Sequence, residues 1–210
     1  MKKGSFEGTG NYFYSSPYAL NRETVISEIL KSIKKEDVVI STTGKISREV
    51  YEQSNKLNNS HAQDFLTVGG MGHASMIAFG YAKKKPDKRV YCIDGDGALL
   101  MHMGALAFLS SHPCKNFVHV CLNNMAHESV GGMPTCASGL CFDKIAEAAG
   151  YKKVYHAEDR QQLKESLSHI AMEEQLTFLE IMVSIDSRSD LARPRETALE
   201  NKQNFMEYHR

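Results

Sequence analysis

The residues best suited to chemistry lie where apolar runs end. Residues 90–93, Val-Tyr-Cys-Ile, stop abruptly at Asp94-Gly95-Asp96-Gly97, and a helix-compatible run begins at Ala98. Two other apolar runs end comparably, at Thr42-Thr43-Gly44 and at Asn123-Asn124. A helix N-terminus just after Gly97 would present free N–H groups, which suit a phosphate. The glycines let a ligand approach the backbone. A carboxylate beside a phosphate repels it unless a cation lies between them. Asp96 and an Asn side chain are oxygen donors of the kind Mg²⁺ takes together with phosphate oxygens. Alone, Gly-Asp-Gly fits an ordinary turn with a capping Asp equally well. The spacing adds weight: 25 residues lie between Gly97 and Asn123, enough for one helix and one strand returning to the same sheet edge.

The elements that would position these groups alternate. Val25, Ile26, Ile29, Leu30 and Ile33 sit at helical spacing after a capping Asn21. The pattern predicts strands over 38–41, 65–68, 90–93, 117–122, 154–155 and 177–183. It predicts helices over 47–51, 73–82, 98–110, 142–149 and 158–173, a polar loop over 55–64 and another loop over 129–139. The polar tail from Arg188 is expected to end in a short helix. Alternating strands and helices imply an α/β fold, a parallel sheet with helices on both faces, whose ligands sit beyond the carboxyl ends of the strands. Residues 1–20, rich in Gly, Ser and Tyr, read as an extended arm or linker remnant, and residues 21–210 as one domain with a polar tail.

Composition narrows the class. The chain has 210 residues, 42% of them apolar, enough to bury a core without staples. Lys+Arg and Asp+Glu both number 25, which argues against a general nucleic-acid binder. No apolar run is long enough to cross a bilayer, and the N-terminus lacks a signal-peptide pattern, so the expected location is the cytoplasm. The five cysteines form no CxxC pair and read as free thiols rather than a zinc site.

Here the sequence resembles a known family. "GDGALLMHMGALAFLSSHPCKNFVHVCLNN" looks like the thiamine-diphosphate motif, GDG followed about two dozen residues later by NN. "STTGKISRE", "DFLTVGGMGHASMIAFG" and "HESVGGMPT" resemble the phosphonopyruvate decarboxylases, with the sulfopyruvate decarboxylases next. The likeness covers the carboxyl-terminal, diphosphate-binding half of such an enzyme. It implies the thiamine-diphosphate-binding fold and a metal site made by the side chains of Asp96 and Asn124 and the carbonyl of Ala126. Gly95, Gly97 and Ala98 would cradle the diphosphate, with Thr43 and Gly44 nearby. Gly69 would accept the cofactor's 4′-amino group through its carbonyl, and Met71 would hold the cofactor bent. His73 and His127, next to motif residues, are candidate catalytic groups; Lys45 and His73 are candidates to meet the substrate's anionic group. Arg48 and His102 read as surface and structural residues, and Glu128 as a supporting one.

Two positions depart from the family pattern. Met125 stands where relatives usually have Gly, and would be strained if its turn needs a positive φ. Met133 stands where relatives often have Gln.

The reaction implied is decarboxylation of a 2-oxo acid, with thiamine diphosphate and Mg²⁺ as cofactors. For phosphonopyruvate the products would be phosphonoacetaldehyde and CO₂. The activating Glu of such enzymes belongs to a pyrimidine-binding domain that nothing in residues 1–68 resembles. The chain therefore reads as half an enzyme, a β subunit or a truncated chain, inactive without a pyrimidine-binding domain or α subunit, in a homo- or hetero-oligomer. The alternatives are a sulfopyruvate decarboxylase β subunit, an acetolactate-synthase-like carboligase component, or a non-catalytic cofactor-binding fragment.

Overall fold

The computed structural model describes residues 15–210. The expected arm over 1–20 therefore falls mostly outside the described residues. Residues 15–20 run without regular structure alongside the end of a central strand, where Ser16 donates to the Val183 carbonyl and Ser184 N–H donates to that of Leu20.

The first five elements are α1 (Arg22–Ser32), β1 (Val38–Ser41), α2 (Lys45–Asn58), β2 (Asp64–Leu66) and α3 (Ala74–Lys84). Then come β3 (Val90–Gly95), α4 (Asp96–Met101), α5 (Gly104–Ser111), β4 (Phe117–Asn123) and the short pair β5 (Ala126–His127) and β6 (Met133–Pro134). The chain closes with α6 (Phe142–Ala149), β7 (Lys153–Ala157), α7 (Arg160–Met172), β8 (Thr177–Met182) and α8 (Ala198–Tyr208). The main sheet has six strands in the order β2-β1-β3-β4-β8-β7, all parallel. β1, β3, β4 and β8 are wholly buried, as strands covered on both faces must be. One core, with Ile26, Ile29, Val50, Leu163 and Ile170, packs α1, α2 and α7 on one face. The other, with Ala78, Leu106, Leu109, Phe142 and Phe205, packs α3, α4, α5, α6 and α8 on the opposite face. The α/β reading with helices on both faces holds.

Four local expectations need correction. α2 runs from Lys45 to Asn58, where a helix over 47–51 and a polar loop from 55 were expected. Its buried side includes Glu49, Gln53 and Ser54, so the apolar stripe is masked; Asn59, in the left-handed region at φ 52°, ends it. The single helix expected over 98–110 is two helices, broken at His102 and Met103. β3 carries on through Asp94 and Gly95 rather than stopping at Ile93. The loop expected over 129–139 holds β6 and two short 3₁₀ turns. The expected tail helix is α8, with a complete capping box between Thr197 and Glu200.

α8 also closes the free edge of β2. Asn201, buried, accepts from Leu66 N–H through Oδ1 and donates to the Asp64 carbonyl through Nδ2, both at 3.0 Å. An unpaired strand edge invites association with other chains, and this amide covers it.

Candidate active site

The order of strands decides where a ligand can sit. From β1 the chain goes to one neighbour, β2, and then to the other, β3, so the sheet reverses between β1 and β3. A crevice opens beyond the carboxyl ends of the strands at such a point. A pocket lies there, lined by the ends of β1, β3 and β4 and by the turn after β4. Register brings the parts together: Ser41 pairs with Ile93 and Gly95 with Leu122.

Of the residues singled out from the sequence, Thr43, Lys45, Met71, Gly95, Asp96, Gly97, Ala98, Asn124, Ala126 and His127 all line this pocket. Gly44, Gly69 and His73 do not. Gly69 is tied to it, its N–H donating to the Thr43 hydroxyl at 3.3 Å. His73 lies exposed on the rim, its ring 4.2 Å from that of His102 and tilted 44° to it. That contact gives His102, read as merely structural, a place beside a candidate residue. The two rings meet because Gly72 has no side chain: a Cβ there would come within 2.7 Å of His102 Nδ1.

Asp96 is buried at the floor, and its Oδ2 accepts from the Thr135 hydroxyl at 2.6 Å. Burial pushes its carboxyl above the ordinary range, against the pull of Thr135 and the Gly97 N–H. The β5–β6 hairpin delivers Thr135, whose N–H also donates to the Met125 carbonyl at 2.8 Å. Nothing in the spacing of Thr135 signalled this, because the hairpin is only two residues on each side.

The sequence reading also missed Arg22. It is buried and lines the pocket, held by both oxygens of Glu49 at 2.7 and 2.8 Å and by Glu128. Glu128 reaches further, accepting from Lys45 Nζ at 3.2 Å and from Asn124 Nδ2 at 3.1 Å. Lys45 also bonds Ser187. Burial works against the charge on Glu128, but Arg22, Ser187 and Lys45 hold its carboxyl below the ordinary range. Arg22→Ala is expected to cost about 3–5 kcal/mol, because it strands buried Glu49 without its cation. Chemical denaturation checks this; a loss below 1 kcal/mol, the range of exposed pairs, would show that the pair does not hold the fold.

The turn after β4 is where the departure from the family pattern falls. Met125 has φ 58°, in the left-handed region that a side chain rarely adopts. The strained condition is thus the one realised, and the side chain is packed against the core.

The residues present fit a metal–diphosphate group on three counts. Asp96, Asn124 and Ala126 all line the pocket, and their side-chain and carbonyl oxygens are donors of the kind Mg²⁺ takes. The Thr42 hydroxyl, in the pocket wall, is buried with no hydrogen-bond partner. Gly97 keeps the floor open: a Cβ there would lie 2.8 Å from the His127 ring and 3.2 Å from Met71 Cε. Gly97→Ala is expected to weaken thiamine diphosphate binding at least about tenfold, through overpacking of one to a few kcal/mol. Calorimetry measures it; unchanged affinity would place the ligand elsewhere.

Comparison with known proteins shows the family. Residues 42–181 match the thiamine pyrophosphate enzyme, C-terminal TPP binding domain family. Phosphonopyruvate decarboxylase of Streptomyces viridochromogenes is 32% identical over 89% of this chain and 46% of its own length. Sulfopyruvate decarboxylase subunit beta of Methanothermobacter thermautotrophicus is 30% identical over 63% of this chain and 68% of its own. The chain spans about half the length of the phosphonopyruvate decarboxylases it matches. Among solved structures, benzoylformate decarboxylase from Polynucleobacter necessarius superposes with a TM-score of 0.63 at 14% identity, covering 87% of this chain and 35% of that one, a likeness of fold. Fold, pocket and family match together show that this chain belongs to the thiamine pyrophosphate enzymes, as their C-terminal cofactor-binding domain.

Proposed function

We propose that the chain is the diphosphate-binding half of a thiamine diphosphate- and Mg²⁺-dependent decarboxylase acting on a 2-oxo acid that carries a second acid group, phosphonopyruvate first. The observation that carries this is the gathering of Asp96, Asn124 and Ala126 around a glycine-floored pocket at the sheet's reversal. Likeness to phosphonopyruvate decarboxylases over about nine-tenths of the chain supports the substrate class.

When bound, thiamine diphosphate supplies the electron sink for the bond broken as CO₂ leaves. Asp96 and Asn124 would hold Mg²⁺ through side-chain oxygens and Ala126 through its carbonyl. Thr43, Gly44, Gly95, Gly97 and Ala98 would bind the diphosphate, and the Gly69 carbonyl the pyrimidine amino group. Met71, in contact range of the Gly97 floor, would support the bent cofactor. His127 lies over the same floor and would move a proton there. His73 and Lys45, one on the rim and one in the wall, would meet the substrate's acid groups, Lys45 after exchanging Glu128 for the incoming anion.

A pyrimidine-binding domain or α subunit would supply the activating Glu. In support, exposed apolar residues lie beside pocket-lining segments: Met101 at the end of α4, Val130 next to Ser129, and Met133 paired with His127. Such residues suit a surface that another domain covers. The sulfopyruvate decarboxylase relatives, named as beta subunits, favour a second reading in which the acid group is a sulfonate.

The test is CO₂ release from phosphonopyruvate and from sulfopyruvate, with thiamine diphosphate and Mg²⁺. The chain purified from its own cells with whatever binds it is compared with the chain alone. Activity in the co-purified sample only is the expected result. Activity in the chain alone would remove the need for a partner, and none with either acid would overturn the substrate class.

A further inference from the structure

We infer that two carboxylates, half-buried Glu128 and buried Glu180, lock the side-chain amides of Asn124 and Asn123 in one orientation, and that this lock gives the turn after β4 its grip on a divalent cation. The inference rests on the reading of Asn124 and Ala126 as metal ligands.

A side-chain amide has two unlike ends, an acceptor oxygen and a donor NH₂, and nothing in its own shape decides which faces a cation. Here the two asparagines repeat one arrangement. Asn123 Nδ2 donates to Glu180 Oε1 at 2.9 Å, and Asn124 Nδ2 donates to Glu128 Oε2 at 3.1 Å. Asn123 Oδ1 accepts from Met125 N–H and Asn124 Oδ1 from Ala126 N–H, both at 3.1 Å. Turning either amide over would set oxygen against carboxylate and NH₂ against N–H, two repulsions at once in a buried place. The backbone turn that aims the Ala126 carbonyl is thus tied to the same two amides, with Met125 at φ 58° between them.

Both carboxylates are themselves pinned as acceptors from distant elements. Glu128 is gripped by Arg22 of α1 and Lys45 of α2. Glu180, on β8 and 2% exposed, accepts from the Asp143 N–H of α6 at 3.2 Å and lies 3.4 Å from His156 Nδ1 on β7. Supporting partners of this kind typically contribute about ten- to hundredfold to metal affinity. Glu128 and Glu180 are therefore positioning residues that act through the asparagines.

The experiment uses Mn²⁺ as the probe, with free Mn²⁺ counted by electron paramagnetic resonance during titration in the presence of thiamine diphosphate. The protein is the chain purified with whatever binds it. Glu180→Gln and Glu128→Gln are each expected to weaken Mn²⁺ binding about ten- to hundredfold. Combining Glu180→Gln with Asn123→Asp exchanges donor and acceptor across the contact and is expected to restore affinity to within about threefold of the unaltered protein. That restoration separates orientation from mere packing, and it remains readable if Glu180→Gln alone fails to fold. Mn²⁺ affinity unchanged in folded Glu180→Gln and Glu128→Gln, or no recovery in the exchanged pair, would overturn the inference. If the unaltered protein binds no Mn²⁺ with thiamine diphosphate, the metal-site reading fails first.

Discussion

Asp96→Ala is expected to abolish Mg²⁺-dependent binding of thiamine diphosphate. Asp96 offers the only carboxylate among the three proposed ligands, so its removal leaves two neutral oxygens facing a doubly charged ion. The supporting partners of a metal ligand are typically worth about ten- to hundredfold in affinity, and loss of the charged ligand itself is expected to exceed that range. The fold should survive the change. Asp96 bonds the Thr135 hydroxyl and the backbone of Gly97 and Asn124, and truncation leaves these groups free to bond water entering the pocket. Calorimetric titration of cofactor with and without Mg²⁺ measures the effect, and equal affinity for variant and unaltered protein would remove Asp96 from the site.

The second large effect concerns stability. Asp64, on edge strand β2, is fully buried, and no well-formed hydrogen bond reaches either carboxyl oxygen. Burial pushes its pKa up to about 8, against a weaker pull from the nearby Ser54 hydroxyl. The folded protein therefore keeps a proton that the unfolded chain releases near the ordinary Asp pKa of about 4. Between those values the folded state binds more protons than the unfolded one, so stability falls as pH rises. It is fully present below the unfolded pKa and reaches its floor above the folded pKa of about 8. Asn stays neutral throughout. Asp64→Asn is expected to raise stability above that pKa by about 2–4 kcal/mol, after allowing for a buried amide with unmet donors. The gain should shrink as pH falls and be gone below about pH 4, where Asp is neutral in both states. Urea denaturation across that pH range checks it, and parallel stability curves for the two proteins would show that Asp64 is ionised in the fold.

The two effects differ in how they could be read. Asp96 announced itself in a short local pattern: an apolar run, two glycines and a carboxylate, with paired asparagines at a distance set by one helix and one strand. Asp64 stands next to Phe65-Leu66 in what looked like the end of a polar loop. Packing makes it a buried acid: its carboxyl faces Ser54 of α2, and Asn201 of α8, 137 residues away in the chain, ties down its backbone carbonyl.

The same division runs through the whole molecule. Alternation of apolar runs with helical spacing determined the α/β class, because strands buried on both faces must be continuously apolar and their covering helices must carry a stripe. Glycines and oxygen donors at three strand ends pointed to the edge where we propose a ligand binds, because residues just past strand ends share one edge of a parallel sheet. Tertiary structure decided the rest. The order β2-β1-β3-β4-β8-β7, fixed by how crossover helices pack, puts the crevice between β1 and β3. Arg22, Glu49 and Glu180 sit on a helix or strand where a charge looks like solvated surface, and become site supports only when another element closes over them. A lone charge in a sequence does not disclose its partner, since the partner comes from a distant element through packing that local spacing does not encode.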